Sequence, residues 1–366
     1  MDGGVLTRRA SNRALLARQM LLRRETLSPV TAIERLAGLP AREARPPFIS
    51  LWSRLSGFRR DGLRRLLRER QVVRGALMRG GLHMVSAADY PRFRASIQDS
   101  LEHISQALMR DGDVDLSADV LGEEALAILA GGPQTLIAVR AGLAIRHPEQ
   151  DPGALLIAPR LRLPLLTAPT GGRWAFDSHP TFEPASEWLE EPVARRPDPQ
   201  GLVRRFLAAW GPATVAEARA WSGLPRLEAV FDALAGELVT FHDERGRLLH
   251  DLPEAPRPDE DAPAPPRLLP EGDGLLLGHV DPWRTTPDSL VPHFAGIGGG
   301  PARILADGFA IGSWKTWRRR GEAVLALRFH ARVSRKDRLD LEAEANALLQ
   351  FIEPEAASRT VRFETV

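Results

Sequence analysis

The groups able to do chemistry in this chain are unevenly placed. His279 and Asp281 set an imidazole and a carboxylate two positions apart, but no suitable Ser nucleophile accompanies them, so they do not make a hydrolytic triad. The run Gly296-Ile297-Gly298-Gly299-Gly300 has no strand pattern before it, no helix pattern after it and no Lys-Ser/Thr, so it is not read as a phosphate cradle. The absence of Cys excludes disulfides, thiolate-held zinc, iron–sulfur clusters and thiol catalysis. The nine His form no HExxH or HxH pair, so neither a metal nor a cofactor is expected. What remains is arginine. Residues 1–80 hold 18 Arg against six acids, a net of +12, whereas residues 99–124 hold eight acids against one Arg. The overall charge of +2 conceals this split. So dense a basic lobe points to a polyanion, with nucleic acid the leading candidate. Only two of the 49 basic residues are Lys, which a GC-rich genome would explain, but codon usage does not explain the clustering.

Helical periodicity runs from Ser11 to Leu22, carrying Arg13 and Arg18, with Arg8 and Arg9 just before it. These four arginines either contact phosphate or form a solvated face. Ser28-Pro29 opens a second helix that ends at Gly38. Residues 59–70 read as a third, very basic helix. Val72–Met78 and Leu82–Val85 alternate as strands around Arg79-Gly80-Gly81, a hairpin. Arg79 and His83 flank this first wing. Arg79 could reach a phosphate, or lie in a surface salt bridge; His83 could join it, or be a hydrogen-bonded, partly buried ring. Trp52, at helical spacing from Phe48 and Leu55, is read as core rather than as a base-stacking wedge.

Residues 97–176 repeat the plan, with helices at 97–110, 117–130 and 134–143. An apolar stretch at 154–168 then leads through Pro169-Thr170-Gly171-Gly172 to a returning strand, Arg173–Phe176. The third unit has the plainest signals: a helix at Leu202–Trp210, a capping box at Thr214–Glu217, a turn at Gly223-Leu224-Pro225, a helix over Arg226–Ala235, and a hairpin through Leu238–His250. Three helices and a hairpin make the winged-helix plan. Residues 252–270, with seven Pro, read as an extended linker. Strand patterns follow at Gly274–His279, Ala302–Leu305, Ala310–Lys315 and Ala323–Phe329, with a helix over Arg335–Phe351.

The expected fold is therefore α+β and mainly helical: three tandem winged-helix modules (5–95, 96–190 and 198–251), the linker 252–270, and a small β-rich α+β domain over 271–366. A length of 366 residues, at roughly 100–200 per domain, agrees with that division. No apolar run reaches the roughly 18 residues of a membrane span, and the Arg-rich start lacks a signal-peptide core, so a cytoplasmic, nucleoid-associated protein is expected. No heptad or dimer helix is evident, which favours a monomer.

Five motifs occur in order: Asn12-Arg13-Ala14-Leu15-Leu16-Ala17-Arg18-Gln19; Gly38-Leu39 with Arg45-Pro46-Pro47-Phe48 and Leu51-Trp52-Ser53-Arg54-Leu55; Leu77-Met78-Arg79-Gly80 with Leu82-His83; Trp210-Gly211-Pro212-Ala213-Thr214 with Trp221 and Gly223-Leu224-Pro225; and Leu269-Pro270-Glu271 with Asp273, Asp307-Gly308 and Gly312-Ser313-Trp314. Together they resemble the tandem winged-helix family of bacterial interstrand-crosslink DNA glycosylases, of the azinomycin-resistance type, over nearly the whole chain. The resemblance implies winged-helix modules around a concave channel for double-stranded DNA, alkylated or crosslinked. It makes the segment with His279, Asp281 and Arg284 either a channel-facing loop that probes a lesion or a structural turn; Arg45 and Arg54 complete the candidate DNA contacts.

The resemblance also marks a departure. Active members of that family carry a Gln-apolar-Gln or Gln-apolar-Asp triplet after the Gly-Leu; here it is Pro40-Ala41-Arg42, followed by Glu43. The reaction expected of such a protein cuts the bond from base to deoxyribose through an oxocarbenium-like transition state, so the protein must position a water and stabilise positive charge. Pro40 offers neither a side-chain hydrogen bond nor an N–H. Arg42 would set a cation beside a developing cation, although it suits a phosphate. Glu43 is the one residue of the loop fit to act as base and counter-charge. Three functions follow: a crosslink-type glycosylase with Glu43 and Arg42 as its candidate catalytic loop, a non-catalytic winged-helix DNA binder with a regulatory or lesion-binding role, or winged helices that contact protein. The basic first lobe argues against the third.

Overall fold

The computed structural model describes residues 2–189, 196–279, 281–294 and 300–364. Val280 and Gly296–Gly299 of the glycine run lie outside these residues.

One order of elements recurs three times: a helix, a short strand, a helix pair, and a hairpin whose second strand receives the short strand. The first copy follows β1 (Asp2–Leu6) and α1 (Arg8–Arg18). It comprises α2 (Pro29–Arg35), β2 (Leu39–Pro40), α3 (Pro46–Arg54), α4 (Arg60–Arg68), β3 (Val72–Ala76) and β4 (Leu82–Ser86), with sheet order β2-β4-β3. Helix α5 (Asp89–Asp111) leads to the second: α6 (Ala118–Leu129), β5 (Gln134–Thr135), α7 (Leu136–Arg146), the short α8 (Pro152–Leu155) and α9 (Ile157–Arg162), β6 (Leu165–Thr167) and β7 (Thr181–Pro184), in the order β5-β7-β6. After α10 (Ala185–Trp188) comes the third: α11 (Pro199–Trp210), α12 (Val215–Ser222), α13 (Glu228–Ala233), β8 (Val239–Asp243) and β9 (Leu248–Asp251). Its short strand is reduced to one bridge, Ala213 to His250. This is the tandem winged-helix, α+β fold.

Side-chain caps fix most of the helix starts. Thr7, Ser28, Ser117 and Thr135 each accept a backbone N–H, and Thr214 with Glu217 forms a full capping box. Helix α12 ends on Gly223, at φ 78°, the left-handed conformation that glycine adopts freely.

Several expectations change. Helix α1 starts at Arg8, because Thr7 rather than Ser11 is its cap. The structure adds a helix, α3, between the second and third helices read from the sequence, with Pro46 and Pro47 in its first helical positions, and the helix pair of the first module is α3–α4. The strand returning in the second module is Thr181–Pro184, since Arg173–Phe176 lies in turns. Gly274–His279 is not a strand: Asp273 caps a single helical turn, α14 (Gly274–Leu277). The Pro-rich segment is strapped down. Arg257 bonds Asp251 and the Leu252 and Pro253 carbonyls, Arg13 bonds the Ala262 carbonyl, and Arg267–Leu269 becomes strand β10.

Beyond it, β10, β11 (Arg303–Ala306), β12 (Phe309–Arg319), β13 (Glu322–Phe329) and β14 (Ser358–Glu364) form a five-stranded sheet in chain order. The last pair is parallel and is joined by α15 (Arg335–Ile352), whose Leu341, Ala345, Leu348, Leu349 and Ile352 cover the sheet. Sheets also span modules: β3 pairs with β6, and β1 pairs in parallel with β8. Trp52 packs on Phe351 against this C-terminal core, with ring centroids 5.9 Å apart.

Candidate functional site

The Pro40–Glu43 loop joins β2 to α3, and the first hairpin holds it in place. Pro40 stands opposite His83 in the sheet, and the Ala41 N–H donates to the Leu82 carbonyl at 2.7 Å. From β3, the buried Arg74 donates Nε to the Ala41 carbonyl and Nη2 to the Arg42 carbonyl, both at 2.8 Å. Burial brings the Arg74 guanidinium down to about 10, partly offset by Glu43. The backbone at 40–42 is thus rigid, while the side chains of Arg42 and Glu43 are exposed.

The loop borders a cleft of about 910 Å3. Arg79 and His83 from the first wing, Arg160 from α9, Trp210 and Trp221 from the third module, and Glu271 and Gly278 from the segment around α14 complete its walls. At the wing tip Arg79 adopts φ 56° and Gly80 φ 72°. A Cβ on Gly80 would lie 2.6 Å from Leu161, so only glycine lets the tip pack this closely on α9. A Cβ on Gly278 would likewise fall 2.0 Å from Trp210 Nε1.

Cations and carboxylates share this cleft without neutralising one another. The side chains of Arg42, Arg79, Arg160, Glu43 and Glu271 make no hydrogen bond or ion pair among the described residues. Unpaired arginines at a concave mouth suit phosphate oxygens. His83 is 9% exposed, and its Nδ1 lies 2.9 Å from the Gly81 carbonyl. Burial and, secondarily, Arg79 bring its imidazole down to about 4, so it is neutral at physiological pH. Arg160 and Glu271 are not among the residues the sequence singles out for a site; Glu271 appears only within a family motif.

Most of the other candidate contacts are turned inward. Arg18 makes a two-point pair with Asp251 at 2.7 Å, and Arg54 one with Asp273 at 2.7 and 2.8 Å, all four side chains being fully buried. Arg13, also fully buried, binds Asp307 and the Ala262 carbonyl. Arg284 bonds Glu217 at 2.9 Å and lies 2.7 Å from His279 Nδ1, which is also 3.1 Å from the Glu217 carboxylate. Burial and the Arg284 charge both lower His279. Arg8 is tied to the Trp283 and Thr286 carbonyls, and Arg9 to Asp307. Arg45 donates to Thr316 Oγ1 at 2.7 Å, and Asp281 holds Arg245 and Arg247. In these places the side chains join the modules to one another. Of the sequence candidates, the structure brings Arg42, Glu43, Arg79 and His83 together on the cleft. Among the described residues no three His, Cys, Asp or Glu are grouped to hold a metal, and no helix is long and apolar enough to cross a membrane.

The family model for AlkZ-like DNA glycosylases matches residues 33–351, which include the loop and every cleft residue named above. The chain belongs to the AlkZ-like DNA glycosylase family. Among solved structures, DNA glycosylase AlkZ of Streptomyces sahachiroi superposes with a TM-score of 0.79 at 19% identity, covering 99% of this chain and 100% of that one. That likeness shows the shared tandem winged-helix fold. No curated protein matches by sequence. For an AlkZ-like chain DNA is the partner.

Proposed function

We propose that this AlkZ-like protein binds duplex DNA across the cleft and hydrolyses the N-glycosidic bond of a bulky N7-alkylated purine, in repair of or resistance to alkylated or crosslinked DNA. The observation that carries this reading is an exposed, unpaired Glu43 on a loop clamped from behind by Arg74 and flanked by unpaired Arg42, Arg79 and Arg160. In the reaction the bond from C1′ to the base breaks and its electron pair passes to the base, whose alkylated ring is already cationic and so leaves neutral. Water adds to C1′ and gives up its proton. Glu43 accepts that proton and offsets the charge developing on the sugar. Arg42 serves phosphate rather than sugar, because a guanidinium beside an oxocarbenium is repulsive.

A second reading, a winged-helix binder without chemistry that acts in regulation or lesion recognition, is favoured by Pro40 and Arg42. Neither offers the neutral amide that active relatives are expected to use for the water. We carry as parts of the proposal the division into three modules and a C-terminal domain, a monomeric state, independence from metals and cofactors, and a cytoplasmic, nucleoid-associated place of action.

The test is base release. Duplex DNA treated with a bifunctional alkylator that forms N7-guanine adducts and crosslinks is incubated with the protein, and free modified base is measured by mass spectrometry. Release is expected. No release, alongside DNA binding that weakens steeply with salt, would leave the second reading standing. Binding to duplex DNA that is absent or flat with salt would remove DNA altogether.

A further inference from the structure

A second cavity, of about 510 Å3, shares Arg42, Glu43 and Leu82 with the cleft, so the catalytic loop is a wall common to both. Trp174, Phe176, Phe182 and Ile137 give it an aromatic and apolar side, while Arg45, Thr135, Asp177 and His179 add polar groups and Ser178 stands at an exposed edge. Its volume falls in the range of small-ligand pockets, roughly 300–1,000 Å3. Arg74 also lines it. This side chain is 3% exposed, its guanidinium lies over the Phe176 ring at 4.7 Å, and two of its nitrogens are used on the loop carbonyls. The third, Nη1, is buried and has no partner. A buried cationic donor left unpaired is costly, and a ligand in the cavity that Arg74 lines would supply the missing bond.

We propose that this cavity binds a planar oxopurine, an N7-alkylated guanine being the class that fits, with Arg74 Nη1 donating to the ring carbonyl and the aromatic walls holding the ring and its substituent. The proposal rests on the DNA-glycosylase reading above and names the part of the substrate that enters. It also gives Arg74 two tasks, fixing the loop backbone and recognising the base.

The test is equilibrium dialysis of the full chain against 7-methylguanine and against 2-amino-7-methylpurine, which lacks the oxygen. The wild-type protein should prefer 7-methylguanine about tenfold or more, as expected for a hydrogen bond to a charged donor. Arg74→Met should abolish that preference. Since Arg74 also holds the loop, that variant could fail to fold. Ser178→Trp, at an exposed position, fills the cavity without touching Arg74 and should weaken 7-methylguanine about tenfold or more. No binding of 7-methylguanine at millimolar concentration, equal binding of the two bases, or full binding by Ser178→Trp would each overturn the pocket. Salt-dependent duplex binding is measured on the same proteins. If it persists while the base results are negative, the pocket alone is lost; if the wild type does not bind duplex DNA, the underlying reading falls too.

Discussion

Arg54 and Asp273 meet in a two-point, fully buried ion pair that ties the end of α3 to the cap of α14, so one bond pair fixes the relation of the Pro40–Glu43 loop's module to the opposite wall of the cleft. Ser50 adds a bond from its hydroxyl to the same carboxylate at 2.5 Å. Burial alone would raise the Asp273 carboxyl, but the Arg54 charge and these bonds outweigh it and hold the group below its ordinary value.

Asp273→Asn leaves the Arg54 charge buried and unmatched, so it should destabilise the fold by about 3–5 kcal/mol in urea unfolding. Replacing both residues together, as Arg54→Met with Asp273→Leu, should cost much less. Because the folded-state carboxyl is depressed, the wild-type pair contributes fully above the ordinary value of 3.8 and is lost as pH falls below it toward the folded value. An Asp273→Asn loss that stayed the same down to pH 2 would contradict this account.

Arg79→Ala and Arg42→Ala should each weaken duplex binding across all sequences and lower the slope of log affinity against log salt by about one. Arg18→Ala should leave that slope unchanged and lower the melting temperature, since its guanidinium is spent on Asp251. The reverse pattern would place DNA on the wrong face.

Glu43→Gln keeps the size of the side chain and removes its base. Release of an N7-alkylated purine should fall by about 10²-fold or more while duplex affinity holds. Wild-type turnover in the variant would remove Glu43 from the chemistry.

His83 is buried as the neutral ring, at about 4 against an ordinary 6.5. Its folded value is depressed, so the unfolded chain takes up the proton first and stability declines as pH falls from 6.5 toward 4, by up to about 3 kcal/mol. His83→Asn should flatten that part of the stability–pH curve. Duplex affinity, by contrast, should show no step from this residue between pH 6 and 8.

What the sequence reveals depends on the range of the interaction. The third module is legible because its determinants are local: Thr214 and Glu217 cap within one turn, and Gly223 ends the helix it follows. Helix α3 is not, because no side-chain cap marks its start and its Ile49 and Trp52 pack against the distant C-terminal core. The arginines show the same limit. Charge density is visible in the sequence, but whether Arg18 faces solvent or an aspartate far along the chain is a tertiary fact. The cleft was foreshadowed where motif and loop coincide, at Arg42, Glu43, Arg79 and His83. Arg160 and Glu271 carry no spacing of their own, and the fold alone brings them to the same opening.

Strand β1 reaches across the molecule to lie parallel to β8, with Val5 beside His242 and Leu6 beside Asp243. During synthesis this strand is made long before its partner, which follows only after two full repeats of the element order. Until then it presents an unpaired edge. The first module can build its helices early, but its leading segment must wait, and closing so long a loop is slow. The seam between this strand and the third module is therefore sewn late, and a fragment ending before residue 239 would carry a loose, adhesive strand.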